Sequence, residues 1–206
     1  MNHCCADMTA VAVEQRRTLQ IVLGINAIMF LVECGAGLVA GSTALLADSV
    51  DMLGDAIVYG FSLYVVGRGP RWLARGALLK GLVMGAFGIG IFVEAVLKIA
   101  TGRVPIAGAM AGVGLLALAA NIGCLLLLRR RRADDVNMRS AWICSRNDVA
   151  ANAGVLVGAG GVFLTGSAWP DIVVGLLIAT MFVTAALGVI GDARRARSAQ
   201  PSFGGG

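Results

Sequence analysis

Three aspartates, Asp48, Asp51 and Asp55, recur at i, i+3 and i+7 inside an apolar run. On a helix that spacing lines them along one face. A stripe of like charge repels itself unless a cation lies against it or protons neutralise part of it, so its chemistry is the holding of a cation, of protons, or of both in turn. A second apolar run carries Cys144 and Asp148 at i and i+4, with Asn152 one turn further on. Thiolate and carboxylate both ligate divalent metals, at about 2.3 Å for Zn–S and about 2.0–2.2 Å for Zn–O. Two carboxylates of the first run with Asp148 and Cys144 would make a four-ligand cage. The plainer alternative is that the aspartates are neutral and hydrogen-bond neighbouring helices; one aspartate serves that purpose and a row of three does not. Cys34 and Cys124 lack such company and read as small buried hydrophobes.

The elements that must position these residues are apolar runs of roughly 20 residues, the length that crosses a bilayer. Of the 206 residues, 58% are hydrophobic and 14% charged, with 29 Gly. Ordinary soluble domains are about 25% charged and about 7% Gly. Soluble and disordered classes are thereby excluded, and the lack of period-two alternation argues against an outer-membrane barrel. Six runs are predicted as membrane helices: 19–40, 43–66, 78–100, 108–128, 140–165 and 169–190. The expected fold is all-α and polytopic. The first run has no small-residue cleavage site and reads as a retained span.

Positive charge sets the expected orientation. Arg16 and Arg17, then Arg68, Arg71, Arg75 and Lys80, then Arg129–Arg132 with Arg139, and Arg194, Arg195 and Arg197 all fall on one side, leaving Lys98 and Arg103 opposite and Arg146 inside span five. Both termini are expected in the cytoplasm, with the protein in the cell (inner or plasma) membrane. The basic run at 129–132 abuts a span and lacks interleaved aromatics, so nucleic acid is not an expected partner. Six of the twelve acids, Glu33, Asp48, Asp51, Asp55, Glu94 and Asp148, fall within spans. An Asp at mid-bilayer costs about 2.5–3.5 kcal/mol, so three facing lipid would cost on the order of 8–10 kcal/mol. They must face one another, water or an ion.

Asn26-x3-Phe30-x2-Glu33 followed by Ser42-Thr43-Ala44-Leu45-Leu46-Ala47-Asp48-Ser49-Val50-Asp51-Met52-Leu53-Gly54-Asp55 resembles the first two spans of the cation diffusion facilitator family. The resemblance covers roughly 19–190 and implies a six-span, dimeric divalent-cation/proton antiporter. It implies metal ligation by Asp51, Asp55 and Asp148; the family's fifth span carries His-x3-Asp, and here Cys144-Ser145-Arg146-Asn147-Asp148 keeps the spacing and the Asp. Glu94, Asn121, Asn152 and Trp169-Pro170-Asp171 also resemble family positions. With Cys144 in place of His, the fourth ligand is this thiolate, Asn147 or water, and softer metals gain ground. Residues 1–18 and 191–206 are expected as short cytoplasmic tails around the 19–190 unit, with no room for the family's cytoplasmic metal-binding domain.

The expected activity is efflux of a divalent cation, Zn or Cd foremost, exchanged for protons by alternating access; the metal is cargo and no resident cofactor is expected. Bound metal requires deprotonated ligands, which makes protons its natural competitors. Asp48, Asn152, Glu33 and Asn26 are candidate path or accessory residues, and His3, Cys4 and Cys5 a candidate capture site at the cytoplasmic mouth, or simply a tail. Arg146 is expected to point to the interface or to pair with Asp134 or Asp135. The expected partners are divalent cations, protons, the lipid bilayer, and a second copy of the chain through the transmembrane helices. Two other classes were weighed. An intramembrane aspartyl peptidase built on Asp55 and Asp148 leaves Asp51 and Cys144 unexplained, and a non-transporting scaffold leaves the acid stripe uncompensated.

Overall fold

The computed structural model describes the backbone of residues 2–65, 70–130 and 136–198, and the side chains of 15–61, 63, 64, 79, 81–130, 141–143, 145–184, 187 and 188. Six helices follow one another: α1 (Asn2–Ala40), α2 (Thr43–Val65), α3 (Pro70–Thr101), α4 (Ala107–Arg129), α5 (Val136–Thr165) and α6 (Trp169–Ser198). Every expected span lies on one of them, and the chain is an all-α, multi-pass membrane protein. The helices overrun the spans: α1 begins at Asn2 and α6 runs to Ser198, through residues expected as tails. The reason is chemical. Residues 2–18 contain neither Gly nor Pro, and their last stretch runs through the helix formers Ala10, Ala12, Glu14, Gln15, Arg16 and Arg17, so nothing in them stops a helix at the membrane boundary.

Among the described residues, Gln15–Ala40, Gly81–Thr101, Ala107–Arg129 and Ala141–Thr165 are long and apolar enough to cross a bilayer, and α6 contributes a shorter apolar stretch, Trp169–Thr184. By composition α2 departs from that pattern because Asp48, Asp51 and Asp55 lie in it. It compensates by position. α2 packs against α1, α3, α5 and α6, and so runs through the middle of the bundle. Around its first half Leu45, Ala47 and Val50 are buried with Met110, Val155 and Phe182, and further along Tyr59 is buried with Val22, Cys124 and Leu128. Leu38, Val39, Phe163 and Leu164 are each more than two-thirds exposed, an outer face suited to lipid tails.

The turn from α1 to α2 has only two residues, Gly41 and Ser42. Gly41 takes φ +61°, which an L side chain rarely adopts, while the Ser42 amide donates to Gly37 O at 2.9 Å. That left-handed residue closes α1 and reverses the chain tightly. It places Glu33, seven residues before the end of α1, about 10 Å below the turn, and Asp48, five residues into α2, about 7 Å below it. The two acids therefore face each other's level on adjacent antiparallel helices.

Candidate metal centre

The first turn of α2 presents backbone N–H groups that no helical carbonyl can satisfy. Ser42 Oγ accepts the amide of Leu45 at 3.1 Å, an ordinary serine N-cap. The rest comes from α6: Asp171, fully buried, accepts from the Thr43 amide at 2.8 Å, the Ala44 amide at 3.1 Å and Ser42 Oγ at 2.6 Å. A carboxylate at a helix N-terminus is favoured by the helix dipole. Lys98 of α3 compensates its charge, its Nζ donating to Asp171 Oδ2 at 2.5 Å, to Gly41 O at 2.5 Å and to Thr43 Oγ1 at 3.3 Å. Thr43 Oγ1 in turn donates to Glu94 Oε2 at 2.6 Å. At Gly175 a Cβ would sit 2.8 Å from the Thr43 carbonyl carbon, so only glycine lets α6 come this close to the start of α2. Together these contacts fix the axial position and rotation of the helix that carries the aspartates.

Two to three turns on, the expected carboxylates meet. One oxygen from each of Asp51, Asp55 and Asp148 lies within 4.8 Å of the others. Asp55 and Asp148 are buried and Asp51 is half-buried. Tyr59 Oη donates to Asp55 Oδ2 at 2.9 Å. Two full negative charges 4.8 Å apart repel by roughly 3.5 kcal/mol at an effective dielectric of about 20. Three ionised carboxylates at these distances are stable only around a cation. Oxygen donors at this spacing, contributed by two helices, can close on an ion of Zn, Cd or Mn size with small side-chain rotations.

The other candidates divide. Asp48, one turn toward the Gly41 end, is fully buried, and Asn152 Nδ2 stands 3.5 Å from its Oδ1 while donating to Asp148 O at 2.8 Å. Glu33 is fully buried with neither carboxylate oxygen hydrogen-bonded, and Asn26 donates to Val22 O at 2.9 Å with its carbonyl oxygen unused. Asn147 is exposed and stands apart from the carboxylate group, because the residue next to Asp148 on a helix is rotated about 100° off the buried face. Cys144 lies on α5 one turn before Asp148, but its side chain lies outside the described residues, as do those of His3, Cys4 and Cys5. Arg146 is exposed with its guanidinium 5.6 Å from the Trp142 ring centroid, and no ion pair between Arg146 and Asp148 occurs among the described residues. Its suggested partners Asp134 and Asp135 lie outside the described residues. Cys124 is buried and free, packed beside Val22 and Leu128, as a small hydrophobe would be.

Two features escaped the reading of the sequence. Tyr59 follows Asp55 by four residues, a spacing that signals the contact. Lys98 was read only as a charge on the side opposite the basic loops, yet it is buried against Asp171; a lysine one turn after Glu94 at the end of an apolar run was the available sign.

A family model described as the cation efflux transmembrane domain matches residues 19–196. The chain belongs to the cation efflux family. Family members are transporters and not enzymes, which removes the peptidase reading. This chain is 25% identical over 176 residues to the metal cation efflux system protein CzcD of Cupriavidus metallidurans, covering 79% of this chain and 55% of that one. It is 27% identical over 189 residues to the zinc transporter ZitB of Escherichia coli, covering 85% and 60%. A mouse calcium/manganese antiporter, SLC30A10, is 34% identical over 125 residues, covering 54% of this chain and 27% of its own. The chain thus spans a little over half the length of the two bacterial relatives.

Proposed function

We propose that this facilitator carries a divalent cation, Zn or Cd foremost, out of the cytoplasm in exchange for protons, with Asp51, Asp55 and Asp148 as the metal ligands and Cys144 as the fourth. The observation that carries the reading is the meeting of three carboxylates from α2 and α5 within 4.8 Å inside an apolar bundle. Zinc and broader metal efflux in the names of ZitB and CzcD supports the choice of cargo. Both termini lie in the cytoplasm, on the argument of the arginine distribution, so the Gly41 end faces away from it. Metal enters from the terminal end, displaces the protons that the empty carboxylates share, and leaves past Asp48 when protons return. The working unit is a homodimer joined through the transmembrane helices.

Detergent-purified protein titrated with Zn and Cd, with and without Cys144→Ser, tests the ligand set. Tight binding in the wild type, its loss in Asp55→Asn and Asp148→Asn, and a larger affinity loss for Cd than for Zn in Cys144→Ser are expected. Unchanged affinity in both aspartate variants would remove the site.

A further inference from the structure

The acids of this bundle do not end with the triad. Glu33 of α1 is fully buried, and both of its carboxylate oxygens lack a hydrogen-bond partner among the described residues. α1 packs along α2, and the two-residue turn between them brings Glu33 to within about one helical turn of the level of Asp48. Asp48, also fully buried, leaves Oδ2 unpartnered, and Asn152, whose amide nitrogen stands 3.5 Å from Asp48 Oδ1, has an unpartnered carbonyl oxygen. A buried polar atom without a partner costs roughly 1–3 kcal/mol, more for a charged group, and native structures leave few of them. Here four such oxygens belong to α2 and to two helices packed against it, on residues that lie within one helical turn of the triad toward the Gly41 end. The neighbouring polar groups do not relieve them: the Ser49 hydroxyl is turned to Leu46 O at 2.8 Å, and Lys98 is held by Asp171, Gly41 and Thr43.

We infer that Glu33, Asp48 and the carbonyl oxygen of Asn152 form a second, sulfur-free subsite for a divalent cation, one turn beyond the triad. The inference rests on the triad as the first cation site, since it makes the subsite the next stop on the same path. Carboxylate and amide oxygens are hard ligands, suited to Mn, Ca or Mg at least as well as to Zn, and no thiol takes part. Asn152 links the two stations: its amide nitrogen is bonded to the backbone oxygen of Asp148, so the triad's α5 ligand and the subsite share one side chain. An ion passing from one to the other exchanges one set of carboxylates for the next and is never left without negative charge.

Counting bound Mn2+ by the free-ion electron paramagnetic resonance signal tests this on the full chain, in a host carrying His3→Ala, Cys4→Ser and Cys5→Ser so that the N-terminus cannot contribute. Two ions per chain are expected in the host, with mutual broadening from close approach. Glu33→Gln, which keeps shape and removes charge, is expected to bind one ion with the first affinity changed less than threefold; Asp48→Asn is expected to do the same. Asp148→Asn is expected to lose the other ion and keep the subsite's. A host that binds a single ion, or a Glu33→Gln variant that still binds two, overturns the subsite. If instead Asp148→Asn leaves both ions in place while Glu33→Gln removes one, it is the triad that falls.

Discussion

Tyr59 holds Asp55 by the hydroxyl at 2.9 Å and stands 3.4 Å from Ala141 O, so a single proton lies between a ligand on α2 and the backbone of α5. Tyr59→Phe removes that proton and with it one of the contacts that orient Asp55. Metal affinity is expected to fall by roughly 10- to 150-fold, the factor that corresponds to about 1.5–3 kcal/mol for a lost hydrogen bond to a charged group, and titration calorimetry reads it directly. Proton competition belongs to the same scale. Each proton released on metal binding makes the apparent affinity about tenfold weaker per unit fall in pH, so a plot of log affinity against pH gives the number of protons exchanged. The residue chemistry was the most legible part of the sequence. Asp51 and Asp55 were readable from i, i+4 spacing within one run, and Asp148 from its run's composition. Tyr59 was missed although its i, i+4 spacing from Asp55 on α2 signals the contact, and the shared level of Glu33 and Asp48 was not legible because it depends on how tightly the turn joins two helices.

At the scale of elements, α2 holds its register through a carboxylate that arrives from α6 and an ammonium from α3. Sequence reading placed both charges at span ends, where solvation is the cheap assumption; the two-residue turn and the close approach at Gly175 instead enclose them. Removing one partner of a buried pair leaves the other charge uncompensated, at a cost of about 3–5 kcal/mol. Asp171→Ala is therefore expected to lower thermal stability strongly in detergent, and more than Lys98→Met, because Asp171 keeps three other donors when Lys98 is gone. Equal losses in a fluorescence melting assay would deny Asp171 its separate role in capping α2. Gly175→Ala forces a Cβ to within 2.8 Å of the Thr43 backbone, which cannot yield as a side chain end can. It is expected to weaken metal binding at a site two to three helical turns away, by shifting α2 along its axis.

For the molecule as a whole, an apolar shell surrounds one column of acids. The exposed Leu38, Val39, Phe163 and Leu164 are unremarkable against lipid, and the buried carboxylates would be prohibitive there without a cation or protons. Six helices and their connections were legible because apolar runs of roughly 20 residues stand out in the sequence, whereas helix ends were not: lipid thickness limits a span and does not limit a helix, so α1 and α6 continue past the expected boundaries. The central claim is that Asp51, Asp55 and Asp148 hold the cargo as it crosses. Zn2+-driven proton flux into proteoliposomes, followed with a trapped pH dye, tests it most directly. The wild type is expected to move protons only when metal is present, and Asp148→Asn to fall to the protein-free background while remaining folded and inserted. Full metal-dependent flux through Asp148→Asn would contradict the account.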